Sequence, residues 1–132
     1  MEAGLYLIGT PIGNLQDITL RALETLKQVD VIYCEDTRRS LKLLNAFEIR
    51  KPLKSCPHFK EKSQIDWVLE QIRSGEKVAY ISDAGMPGIS DPGELLVAAA
   101  REAQLPVHII GGVSALTHFI SGAGAELTSF RF

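Results

Sequence analysis

Short apolar runs alternate with longer amphipathic stretches along the whole chain. Residues 5–8 (Leu-Tyr-Leu-Ile), 31–34 (Val-Ile-Tyr-Cys), 78–81 (Val-Ala-Tyr-Ile) and 106–110 (Pro-Val-His-Ile-Ile) are stopped by polar or turn-forming neighbours. Such runs predict buried strands. A weaker run at 52–56 predicts another. Between them, apolar positions recur at helical spacing. The stripes are Leu20, Leu23 and Leu26 with Ala22; Leu41, Leu44 and Phe47; Ile65, Val68, Leu69 and Ile72; Leu95, Leu96, Ala99 and Ala100; and, after Ser114, Leu116, Phe119 and Ile120. Asp17 or Thr19 is placed to cap the first helix and Asp30 to end it, while Gly75 stands where the third should stop. Five β-then-α units in succession predict an α/β fold: a five-stranded, mostly parallel sheet with helices on both faces.

The loops after the strands carry most of the distinctive chemistry. Residues 82–93 hold two aspartates, Asp83 and Asp91, among Gly85, Pro87, Gly88, Pro92 and Gly93. Prolines and glycines so dense exclude regular structure. Residues 9–14 and 111–114 are also Gly-rich and also follow strands. In a parallel sheet all three gather along one edge, where open α/β sheets bind ligands. Turn-making alone also accounts for such loops, with the aspartates capping turns and the next helix. The loops contain neither Gly-Lys-Ser/Thr nor GxGxxG, so the usual phosphate and dinucleotide fingerprints are absent.

Charge and composition narrow the classes. The chain has 132 residues, 45% hydrophobic and 23% charged, with a net charge of −2. That is the balance of one globular domain, with no general attraction to nucleic acid or anionic membrane. No apolar run approaches the roughly 20 residues of a membrane span, and residues 1–4 lack a basic signal-peptide start. The expected compartment is the cytoplasm. There Cys34 and Cys56, too far apart for a CxxC site, are expected as free thiols.

Glu35-Asp36-Thr37-Arg38-Arg39 closes the second strand. An acid pair beside basic residues can orient a hydroxyl, hold a ribose or move a proton; it can equally cap a helix while the arginines stay solvated. His58, His108 and His118 are scattered without metal-ligand spacing. Trp67 and Phe59 read as packing residues. Arg38, Arg39, Lys42, Arg50, Lys51, Lys54, Lys60 and Lys62 concentrate positive charge in one stretch, either a solvated surface or a set of phosphate contacts.

Three of these segments together resemble a known family. Residues 7–23 (Leu-Ile-Gly-Thr-Pro-Ile-Gly-Asn-Leu-Gln-Asp-Ile-Thr-Leu-Arg-Ala-Leu), Glu35-Asp36-Thr37-Arg38, and Ser82-Asp83-Ala84-Gly85-Met86-Pro87 through Ser90-Asp91-Pro92-Gly93 are similar, in order and spacing, to signatures of the bacterial ribosomal RNA small-subunit methyltransferase I family of the tetrapyrrole-methylase superfamily. The resemblance implies S-adenosylmethionine (SAM) as methyl donor and 2′-O-methylation of a cytidine in small-subunit ribosomal RNA. It implies SAM contacts at Pro11, Asp83, Met86, Ser114 and Ala115, and substrate or catalytic contacts at Glu35, Asp36 and Arg38. It further implies a homodimer, an N-terminal domain over 1–125, and at 126–132 the start of a linker to a second domain. Met86 stands where the family usually has Thr, Gly111-Gly112-Val113-Ser114 where it has Pro-Gly-Pro-Ser, and Pro57-His58-Phe59-Lys60-Glu61 where it has His-x-His-Asn-Glu. Those departures keep open another RNA or a small molecule as acceptor, or a non-enzymatic half-domain that dimerises or binds a nucleotide-like ligand.

Overall fold

In chain order, the strands and helices are β1 (Gly4–Ile8), α1 (Leu20–Gln28), β2 (Val31–Cys34), α2 (Thr37–Ala46), β3 (Leu53–Ser55), α3 (Lys62–Arg73), β4 (Lys77–Ile81), α4 (Pro92–Glu102) and β5 (Val107–Ile110). This computed structural model describes residues 1–9, 15–34, 37–55, 62–81 and 92–110. The helix expected after Ser114 lies outside the described residues, as do Cys56, His58, Phe59, Lys60 and His118.

The strands form one sheet in the order β3-β2-β4-β1-β5, and every pair is parallel. The order explains the layers. The connections from β1 to β2 and from β2 to β3 move toward one edge; those from β3 to β4 and from β4 to β5 move back. Crossovers of constant hand must then place the first two helices on one face and the last two on the other. The core shows that division. Leu5, Leu7, Val31, Tyr33, Val78 and Tyr80 pack with Ile65, Val68, Leu69 and Ile72 of α3 and Leu96, Val97 and Ala100 of α4. Their alternate neighbours Tyr6, Ile8, Ile32, Cys34, Ala79 and Ile81 pack with Ala22 and Leu26 of α1 and Leu44 of α2. Burial on both faces is why β1, β2 and β4 read as continuous apolar runs rather than alternating ones.

The α3 stripe is buried as predicted, but three other helices are rotated relative to expectation. Leu20, Leu41 and Leu95 are 72%, 50% and 47% exposed. The buried faces are Ala22, Thr25 and Leu26 in α1, Ser40, Leu43 and Leu44 in α2, and Leu96, Val97 and Ala100 in α4. Trp67, expected to pack, is 60% exposed on α3. Of the two candidates for the α1 cap it is Thr19, whose Oγ1 accepts a hydrogen bond from the Ala22 N–H at 3.1 Å.

Three of the helix ends, those of α2, α3 and α4, are built alike. After α3, Gly75 at φ +107° donates to the Ile72 carbonyl at 3.0 Å while Glu76 donates to the Gln71 carbonyl at 3.1 Å. This pair of bonds is a Schellman motif. The same pair recurs after α2, from Glu48 to Asn45 and Ile49 to Leu44, and after α4, from Gln104 to Arg101 and Leu105 to Ala100. Glu48 and Gln104 therefore take positive φ, 56° and 60°, without being glycine. Asp30 fastens the amino ends of two strands. Its N–H donates to the Lys77 carbonyl, and its carboxylate accepts from the Lys77 N–H, both at 2.8 Å.

Candidate functional site at the carboxyl edge of the sheet

The strands end in step. Ser55 pairs with Cys34, Cys34 with Ile81, Ile81 with Ile8, and Ile8 with Ile110. One row of residues thus crosses the sheet, and the loops singled out in the sequence leave from it. At ~4.8 Å between strands, the stretch from Cys34 to Ile110 measures about 14 Å. Cys34, Ile81, Ile8 and Ile110 are all buried and give the row an aliphatic floor. The Cys34 thiol lies 3.8 Å from the Lys54 carbonyl as donor and is buried, so it is a packing group rather than an exposed nucleophile.

Topology locates a crevice on this edge. From β2 the chain turns away toward β3; from its neighbour β4 it crosses over β1 toward β5 in the opposite direction. Diverging connections from adjacent strands open a cleft above their carboxyl ends. Cys34 and Ile81 are the paired last residues of those two strands. The segments continuing from them contain Glu35 and Asp36 on one side and Asp83 and Met86 on the other. Because the crossovers run antiparallel to the strands, α1, α2, α3 and α4 all begin at this edge. Their positive dipole ends favour polar or anionic ligand atoms there.

Of the residues expected to bind or react, Arg38 is described. It sits exposed in the first turn of α2, next to the crevice. Pro11, Glu35, Asp36, Asp83, Met86, Ser114 and Ala115 lie outside the described residues. What the structure brings together is therefore the set of strand ends from which those residues follow. Among the described residues no three His, Cys, Asp or Glu side chains are grouped to hold a metal ion.

A second polar cluster had no local signal in the sequence. The rings of Tyr6 and His108 stack with centroids 4.6 Å apart at 16°, a contact that exists because β1 and β5 pair in the register Tyr6 to His108. The His108 Nε2 lies 3.1 Å from the Glu2 carboxylate, and the Tyr6 hydroxyl donates to the Glu2 carbonyl. Burial, and after it the Glu2 carboxylate, pushes the Tyr6 phenol above its usual pKa. A groove of about 190 Å³ lies alongside, lined by Tyr6, Thr25, His108 and Ile110 among others. It is smaller than the ~300–1,000 Å³ of ordinary ligand pockets, and it runs along the flank of α1 rather than over the strand ends.

Residues 4–132 match the family model described as Tetrapyrrole (Corrin/Porphyrin) Methylases. The chain belongs to this family. Within it, this methylase chain is 56% identical over 115 residues to the ribosomal RNA small subunit methyltransferase I of Mycoplasmopsis pulmonis, covering 87% of this chain and 52% of the relative. It is 48% identical over 128 residues to the protein of that name from Thermotoga maritima, covering 97% and 58% respectively. It thus spans about half the length of the curated relatives it matches. Among solved structures, a uroporphyrin-III-C-methyltransferase from Thermus thermophilus superposes with a TM-score of 0.65 at 23% identity, covering 84% of this chain and 47% of that one. The likeness shows the methylase fold. No described helix is long and apolar enough to cross a membrane.

Proposed function

We propose that this methylase chain forms one half of a SAM-dependent enzyme that methylates the 2′-hydroxyl of a cytidine in small-subunit ribosomal RNA. The observation that carries the reading is the crevice above the paired ends of β2 and β4, in a chain 56% identical to a ribosomal RNA small subunit methyltransferase I. The described part of the site fits the donor: an aliphatic floor flanked by helix N-termini suits a ligand with apolar and polar parts. Pro11, Asp83, Met86, Ser114 and Ala115 would hold it, since each follows a strand that ends on the common row. When bound, SAM supplies a methyl group already activated on a sulfonium.

The chain's own task is then positioning and proton transfer. A ribose hydroxyl is a poor nucleophile at neutral pH, so a carboxylate within reach of its proton assists attack. Glu35 and Asp36 are assigned to that place, one as base and the other orienting the ribose. Arg38, in the first turn of α2, is assigned to the substrate phosphate. The domain occupies 1–125, the second half of the enzyme completes the acceptor side, and the enzyme works as a homodimer in the cytoplasm.

The test uses the chain joined to the carboxyl-terminal half of the Thermotoga maritima relative, with tritiated SAM and small ribosomal subunits. Methyl transfer to the particle, reduced at least 100-fold in Asp36→Asn or Glu35→Gln with SAM binding retained, is the expected result. Undiminished turnover in both variants removes the carboxylate from the mechanism. Transfer to free small molecules in preference to particles removes ribosomal RNA as the substrate.

A further inference from the structure

The charge that opposes the chain's overall balance lies at one edge of the fold. Residues 37–55 contain six basic side chains and one acidic one, a net +5 in a chain of net −2, so all other residues together carry −7. These 19 residues are α2, β3 and their connection, and β3 is an edge of the described sheet. Ser40, Leu43 and Leu44 turn one side of α2 into the core. Arg38, Arg39 and Lys42 lie together on the opposite, exposed side. Arg50, also exposed, and Lys51, half-buried, follow in the approach to β3, and Lys54 is exposed near its end.

We infer that the α2–β3 edge is the surface on which the phosphate backbone of the RNA substrate docks. The inference rests on the reading of the chain as an RNA methylase and gives that reading a location. The placement is continuous with the site. Arg38 and Arg39 stand in the first turn of α2, at the rim of the crevice, whereas Lys54, paired with Tyr33, lies at the same edge on the other face of the sheet. From that rim the positive side chains follow α2, which rises about 15 Å, toward Arg50 and Lys51 at the amino end of β3. A strand with one nucleotide in the crevice would lay its neighbouring phosphates along this line. Contacts of this kind position without reading sequence, and they release counterions in proportion to the charges neutralised.

The experiment is fluorescence anisotropy of a labelled single-stranded RNA of about 20 nucleotides with the full chain, over roughly 50–200 mM KCl. The variant Arg39→Gln/Lys42→Gln/Arg50→Gln leaves Arg38 in place. It is expected to bind at least tenfold more weakly, with a log–log salt slope shallower by about 2, at ~0.7 per single-strand phosphate contact. The control Lys27→Gln/Arg73→Gln is expected to match wild type. An unchanged slope in the triple variant, or an equal loss in the control, overturns the assignment. So does tighter binding of poly-glutamate than of RNA, which would make the partner an acidic protein. SAM titration of the chain joined to the carboxyl-terminal half of the Thermotoga maritima relative separates the two readings: RNA bound through this edge while the joined protein binds no SAM keeps the docking surface and removes methyl transfer.

Discussion

Replacing Gly75 with alanine isolates the backbone contribution of one helix end. Gly75 holds φ +107° and closes the Schellman turn after α3. A Cβ there meets nothing within 4 Å, so the substitution brings no clash. Its cost is the left-handed conformation alone, about 1–2 kcal/mol for a residue with a side chain. Alanine also loses less chain entropy on folding, which offsets ~0.4–1 kcal/mol. The net expectation is a destabilisation of about 1 kcal/mol. At a urea m-value of ~1.5 kcal/mol/M, the unfolding midpoint drops by roughly 0.7 M. Glu48 and Gln104 give the opposite sign. They sit in the same motif at φ 56° and 60°, so Glu48→Gly and Gln104→Gly each relieve the strain, less the added chain entropy, for a gain of about 0.5 kcal/mol. Gly75→Ala should not touch ligand binding, because Gly75 lies at the amino end of β4, about 16 Å of strand away from the crevice. A Gly75→Ala midpoint equal to or above wild type, measured by circular dichroism with m unchanged, would refute the reasoning.

Three other outcomes are expected. Gly4→Ala places a Cβ 2.9 Å from the Pro106 carbonyl oxygen and 3.0 Å from its Cβ, and forcing β1 from β5 costs about 1–3 kcal/mol in urea unfolding. Thr19→Ala removes the hydrogen bond to the Ala22 N–H and costs about 1 kcal/mol, with Thr19→Asp close to wild type. The raised pKa of Tyr6 favours its protonated form in the folded chain. The stabilisation is therefore complete below the unfolded value near 10 and is lost as pH rises through the folded value. The late, high-pH part of the phenolate absorbance titration should lose amplitude in Tyr6→Phe.

What could be read in advance follows from which signals are local. Ile65, Val68, Leu69 and Ile72 were legible because the flanking positions Asp66, Glu70 and Arg73 are charged, leaving one stripe to bury. In α2, Leu41, Leu43 and Leu44 fit two overlapping stripes, and only packing against β2 and β3 selects Leu43 and Leu44. Leu20 and Leu95 misled for a related reason: each lies in the first turns of its helix, where the buried face has barely begun. The end of α3 announced itself through Gly75, whereas the same turn after α2 and α4 uses Glu48 and Gln104, which carry no such mark. Strand order was beyond local reading altogether, since β3-β2-β4-β1-β5 is a choice among pairings of equally apolar runs. That the strands preceding the Gly-rich loops end along one edge needed only parallel strands and could be anticipated. The juxtaposition of Cys34 with Ile81, the strand ends that precede the acid pair and the Asp83 loop in the chain, required the register.

The central claim is that the carboxyl edge of this sheet is the donor half of a SAM site. Calorimetric titration of SAM and S-adenosylhomocysteine into the 132-residue chain, beside the chain joined to the second half of a relative, tests it most directly. Binding by the joined protein, weakened at least tenfold in Asp83→Ala and unchanged in Gly75→Ala, is the result the account predicts. Absence of binding in both proteins, each folded by circular dichroism, would contradict it.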